Sequence, residues 1–133
     1  MTSLLLDTSA YAAYHLGHPE IGNAVRDADE TCLTPVVLGE LLDGFRRGAQ
    51  RGRNESYLRK FLSASRTRML AMDGETAERY ASILEALRTA GTPIPANDVW
   101  IASSAMQHGL VLITTDAHFD RVPQIIVRRF DVT

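Results

Sequence analysis

The chain has 133 residues, 45% hydrophobic and 23% charged, with a formal net charge of −2. That length suits one domain, spanning 1–133, which can bury a core without disulfides, and the lone cysteine, Cys32, excludes an intrachain bridge and a cysteine-built zinc site. The slight acidity argues against broad nonspecific nucleic-acid binding, and no apolar run approaches the roughly 18–20 residues of a membrane span, so a cytoplasmic protein in a reducing compartment is expected.

In chain order, Ser3 to Leu6 is apolar on successive positions and predicts a short buried strand. A helix follows over Thr8 to His15, and Pro19 marks a break. Glu20 to Asp29 forms a second helix, with Ile21, Ala24, Val25 and Ala28 at helical spacing. Thr31 to Leu33 is a short strand. Thr34 then caps a helix that has Pro35 at its first position and runs to Arg47. Gly48 to Asn54 reads as a polar turn, Glu55 to Ser65 as a helix and Arg68 to Met72 as a strand. Asp73 caps the next helix, which carries Glu75 and Glu78 near its positive end and stops near Gly91. Thr92 to Pro95 is a loop. Asn97 is expected to cap a helix over Asp98 to His108 that ends at Gly109. Leu110 to Thr114 and Gln124 to Arg128 are the last strands. Alternating strands and helices predict an α/β domain with a mainly parallel, helix-covered sheet.

Open α/β sheets bind ligands beyond the carboxyl ends of their strands. Asp7 stands at that end of the first strand, and Asp116 at that end of LVLITTD. Asp98 lies in the first turn of its helix, within NDVWIA. Glu40, in LGEL, sits on the border of an apolar helical stripe near Val36 and Val37. Each aspartate also suits a helix cap or first-turn charge, and Glu40 a solvated helix face. Yet these four, out of 16 acids, fall at strand ends and beside apolar segments.

Two carboxylates about 5 Å apart repel by about 3 kcal/mol at an effective dielectric of 20. Four of them need protons or a cation. The only lysine, Lys60, is remote in sequence from all four. Oxygen donors favour hard ions such as Mg²⁺ or Mn²⁺. A divalent-metal site is therefore the expectation.

Together, LLLDTSAY (Leu4 to Tyr11), GEL (Gly39 to Leu41), NDVWIA (Asn97 to Ala102) and LITTDAHF (Leu112 to Phe119) resemble the acidic motifs of PIN-domain nucleases. Their spacing resembles the toxin branch, the VapC ribonucleases of toxin–antitoxin pairs. The likeness spans nearly the whole chain, and its specificity lies in the ordered set of four motifs. It implies a three-layer α/β/α sandwich and metal-dependent hydrolysis of RNA phosphodiester bonds. Asp7, Glu40, Asp98 and Asp116 match the family acids that bind Mg²⁺ or Mn²⁺, and Ser9 and Thr114 match supporting hydroxyls. Asp7 and Asp116, at strand ends, suit direct ligation. Asp98 completes the cluster, and Glu40 ligates a metal or orients the attacking water. The resemblance also implies a small VapB-like antitoxin as partner, with a tail packed in a groove, and a homodimer. Tyr11, Tyr14 and Leu16, expected to be exposed on the first helices, suit that groove.

Other features have plainer readings. RRGAQRGR (Arg46 to Arg53) suits either phosphate contact or a solvated helix end. His15 and His18 lack a third ligand and read as surface residues. His118 reads as a loop bystander near Asp116, Trp100 as core and Phe119 as packing behind the site. A haloacid-dehalogenase-like phosphatase needs a second aspartate where this chain has Ser9. A receiver domain needs an acidic pair and a late lysine, and neither is present. A housekeeping RNA-processing nuclease or a noncatalytic PIN-like binding module remains as an alternative to the toxin.

Overall fold

A computed structural model describes residues 2–132. The elements run β1 (Ser3–Leu6), α1 (Thr8–His15), α2 (Pro19–Asp27), β2 (Glu30–Leu33), α3 (Pro35–Arg47), α4 (Arg51–Ser63), β3 (Thr67–Met69), α5 (Gly74–Ala90), α6 (Ala96–His108), β4 (Val111–Thr114), a 3₁₀ turn (Ala117–Arg121) and β5 (Ile126–Arg129). The strands form one parallel sheet in the order β3-β2-β1-β4-β5.

Neighbouring side chains on a strand point to opposite faces. Leu4, Leu5 and Leu6 are all fully buried, so helices cover both faces of β1. Burying such a leucine contributes about 1.5–3 kcal/mol. β2 and β4 follow the same rule through Cys32, Leu33, Leu112 and Ile113, all at 0% exposure. This is the three-layer α/β/α sandwich with the mainly parallel sheet expected from the sequence.

The chain lays β2 and β3 on one side of β1, then crosses to place β4 on the other. Leu4 pairs with Val111, Leu5 with Leu112 and Leu6 with Ile113. The strand order therefore reverses between β1 and β4, the switch point beyond whose carboxyl ends open α/β sheets bind ligands.

Several boundaries differ from the sequence reading. α4 begins at Arg51, inside the segment expected to be a turn, because Asn54 N donates to Gln50 O at 2.9 Å and Arg51 reaches Glu55 one turn on at 3.3 Å. α6 begins at Ala96 with Pro95 at its N-cap and no side-chain cap. Asn97 is thus not the cap, because the Asp98 and Val99 amides already donate to Pro95 O. β3 ends at Met69, β5 is displaced toward Arg129, and the turn at Ala117 was not expected. Tyr11 is 2% exposed rather than open, since its ring packs edge-on against Phe61 at 5.4 Å. No helix among the described residues is long and apolar enough to cross a membrane.

Candidate active site

Asp7 is fixed from three sides. Its amide continues the β1–β4 ladder by donating to Ile113 O at 3.2 Å. Its Oδ1 caps α1, accepting from Ala10 N at 2.7 Å and from Ser9 Oγ at 2.8 Å. Its Oδ2 accepts from Thr114 Oγ1 at 2.5 Å. The cap reading thus holds for Asp7. Only 4% of Asp7 is exposed. Burial raises its carboxyl above the usual range, the three hydrogen bonds oppose that, and the Asp98 charge adds to it.

The two hydroxyls also shape the β4 end. Ser9 Oγ accepts from Thr115 N at 3.0 Å, and Thr114 Oγ1 accepts from Asp116 N at 2.9 Å. Both therefore connect Asp7 to the segment that carries Asp116.

Asp98 enters from the first turn of α6. Burial raises its carboxyl, a hydrogen bond from His118 opposes this, and the charges of Asp116 and Glu40 raise it further. Glu40 reaches in from α3. Its Oε1 accepts from Thr8 Oγ1 at 2.6 Å and its Oε2 from Asn97 Nδ2 at 3.4 Å. Glu40 thus bonds the residues next to Asp7 and Asp98, and Ser9 and Thr114 link Asp7 to the segment that carries Asp116, which brings the four acids to the same end of β1 and β4.

Among the described residues no arginine or lysine pairs with any of these four acids. Their nitrogen partner is His118, whose Nδ1 lies 3.0 Å from Asp98 Oδ2 and 3.2 Å from Asp116 Oδ2. These three atoms lie within 4.8 Å of one another, close enough to share one ion. His118 is therefore no bystander. The signal for it was its position two residues after Asp116. Thr8 was also missed, though it directly follows Asp7.

The family model described as PIN domain matches residues 4–125. This chain belongs to the PIN-domain family. Within that family it is similar to ribonuclease VapC4 of Mycobacterium tuberculosis, 32% identical over 71% of this chain and 73% of the relative. It is also similar to ribonuclease VapC5 of the same organism, 30% identical over 86% of this chain and 84% of the relative. The fold matches that in the crystal structure of VapBC2 from Rickettsia felis bound to a promoter DNA fragment. There the TM-score is 0.86, with 25% identity over 98% of this chain and 100% of that one. The chain is thus a PIN-domain nuclease of the VapC type.

A separate groove of about 1120 Å³ lies on another face of the PIN domain. Tyr11, Tyr14, Leu16, Tyr57 and Phe61 line it together with Arg26, Arg53, Lys60 and Arg66, and none of the four acids does. Leu16 is 84% exposed. The arginines of the Arg46–Arg53 segment are engaged locally: Arg46 and Arg51 pair with Glu55, Arg47 with Asp43, and Arg53 lies over the Tyr57 ring. His15 packs face-on against Tyr11, and His18 caps α2. Trp100 stacks on Tyr80 at 4.0 Å, and Phe119 is 1% exposed, so both serve packing.

Proposed function

We propose that this PIN domain is a Mg²⁺- or Mn²⁺-dependent endoribonuclease, the toxin of a type II toxin–antitoxin pair. Asp7, Glu40, Asp98 and Asp116 would hold the metal. The observation that supports this reading is the grouping of Asp98, Asp116 and His118 within 4.8 Å, with Asp7 and Glu40 bonded to their neighbours and, among the described residues, no arginine or lysine paired with any of the acids. Burial, with a smaller addition from neighbouring carboxylates, raises Asp7 and Asp98, which suits a site that favours added positive charge. The donor set is rich in carboxylate oxygen, which fits a hard divalent ion.

A bound ion supplies positive charge against the RNA phosphate and lowers the pKa of its water. The chain's own groups do the positioning. Ser9, Thr114 and the Ala10 amide hold Asp7 in one rotamer. Thr8 and Asn97 hold Glu40 at the β1–β4 end, where its free lone pairs can accept a proton from an approaching water. Asp98 and Asp116 are tied together through His118.

The groove apart from the acids, lined by aromatic rings and by cations, suits a small VapB-like antitoxin with apolar and acidic side chains. The VapBC2 structure, a complex bearing promoter DNA, supports this reading. A homodimer belongs to the same reading by family analogy.

The test is expression in a bacterium of the wild-type chain and of Asp98→Asn, with growth and total RNA integrity recorded. Growth arrest with discrete RNA cleavage, lost in the variant, is expected. Cleavage without arrest points to RNA processing instead. Intact RNA from both chains, at equal folded levels, defeats the nuclease assignment.

A further inference from the structure

We propose that His118 belongs to the metal-holding group itself, giving a nitrogen donor through Nδ1 beside Asp98 and Asp116. This rests on the reading of the acidic group as a divalent-ion site. In octahedral coordination with bonds of about 2.1 Å, adjacent ligand atoms stand about 3 Å apart and opposite ones about 4.2 Å. Nδ1 is 3.0 Å from Asp98 Oδ2 and 3.2 Å from Asp116 Oδ2. Those are the spacings of neighbouring donors on one face of an ion.

The ring is held there by its own backbone. Asp116 Oδ1 accepts from His118 N at 2.9 Å, which closes the 3₁₀ turn. The next residue, Phe119, is 1% exposed and anchors that turn in the core. The His118 side chain itself remains 40% exposed, so the face turned to solvent stays open for water or phosphate. The ring serves two roles without moving. With its proton on Nδ1 it bridges the two carboxylates as a donor. With its proton on Nε2 it directs a lone pair at the same point.

The consequence is metal choice. Magnesium holds to oxygen donors, whereas imidazole suits transition ions. A nitrogen among the carboxylates shifts preference further toward Mn²⁺ over Mg²⁺ than oxygen donors alone.

The experiment titrates Mn²⁺ and, separately, Mg²⁺ into the purified wild-type chain and His118→Ala by calorimetry, with melting curves confirming that both fold. His118→Ala should lose about tenfold in Mn²⁺ affinity and keep its Mg²⁺ affinity. Pulsed electron paramagnetic resonance of Mn²⁺ on the wild-type chain needs no variant. It should show imidazole nitrogen coupling that changes on isotopic labelling of histidine. Tight Mn²⁺ binding without that coupling, or equal Mn²⁺ affinity in both chains, overturns the role of His118 and leaves the acidic site standing. Failure of the wild-type chain to bind either ion overturns both readings together.

Discussion

Thr114 Oγ1 donates to Asp7 Oδ2 at 2.5 Å, joining residues 107 positions apart across the seam between β1 and β4. The same hydroxyl accepts from the Asp116 amide. Replacing Thr114 with valine keeps the shape and strands both partners. Leaving buried polar groups unsatisfied costs about 1–3 kcal/mol. Urea denaturation of Thr114→Val should show that loss, and Thr114→Ser should recover most of it. An unchanged midpoint in the valine variant would mean the hydroxyl carries no such weight.

Burial also sets a pH dependence. In the unfolded chain Asp7 ionises near the ordinary carboxylate value, whereas in the fold it keeps its proton to higher pH. Its contribution to stability is therefore full below the unfolded pKa and lost as pH rises through the folded one. Asp98 acts in the same sense. In chelator, Asp7→Asn should gain on the wild-type chain in melting temperature as pH rises from about 4 to about 7. A difference that stays flat or shrinks over that range contradicts the shift.

Thr8 touches Glu40 at 2.6 Å and nothing suggests that it meets substrate. Thr8→Val should therefore reduce RNA cleavage by about 10-fold or more through a freed Glu40. Its melting temperature and RNA affinity should stay near wild-type, and Thr8→Ser should restore the rate. A valine variant of full activity would remove Thr8 from the account.

The groove and the acids are separable. Leu16→Asp puts a charge on an exposed apolar wall, and Tyr57→Ala removes an aromatic one. Each should weaken binding of the cognate antitoxin by about tenfold, the size of an interface anchor. RNA cleavage by the free chain should be unchanged. Wild-type affinity in both variants would move the antitoxin to another surface.

Much of this arrangement was legible in one dimension. Asp7 and Asp116 follow short apolar runs, and strand ends in a parallel sheet share one rim, so their meeting followed from pattern alone. Asp98 was singled out by its place in the first turn of a helix and Glu40 by the border of an apolar stripe, with the family resemblance joining them to the two strand-end acids. What pattern could not show was contact between elements. Thr8 and Ser9 are adjacent hydroxyls, yet one serves Glu40 and the other Asp7, a choice made by where α3 lies. His118 stands in a turn of five residues, too short for any periodicity to mark. α4 was misjudged at its start because Gly52 weakens a helix by about 1 kcal/mol relative to alanine, while the offsetting Arg51–Glu55 pair is worth only a few tenths. Asn97 looked like a cap by residue type; its amide instead reaches Glu40 on another helix.

The pairing of β1 with β4 has a consequence for synthesis. Asp7 leaves the ribosome early, but its neighbouring strand begins only at Val111. A nascent or prematurely terminated chain that stops short of that strand contains Asp7, Glu40 and Asp98 but neither the Thr114 hydroxyl that holds Asp7 nor Asp116 and His118. The order of translation thus leaves the β1–β4 end unassembled until the last fifth of the chain has been made.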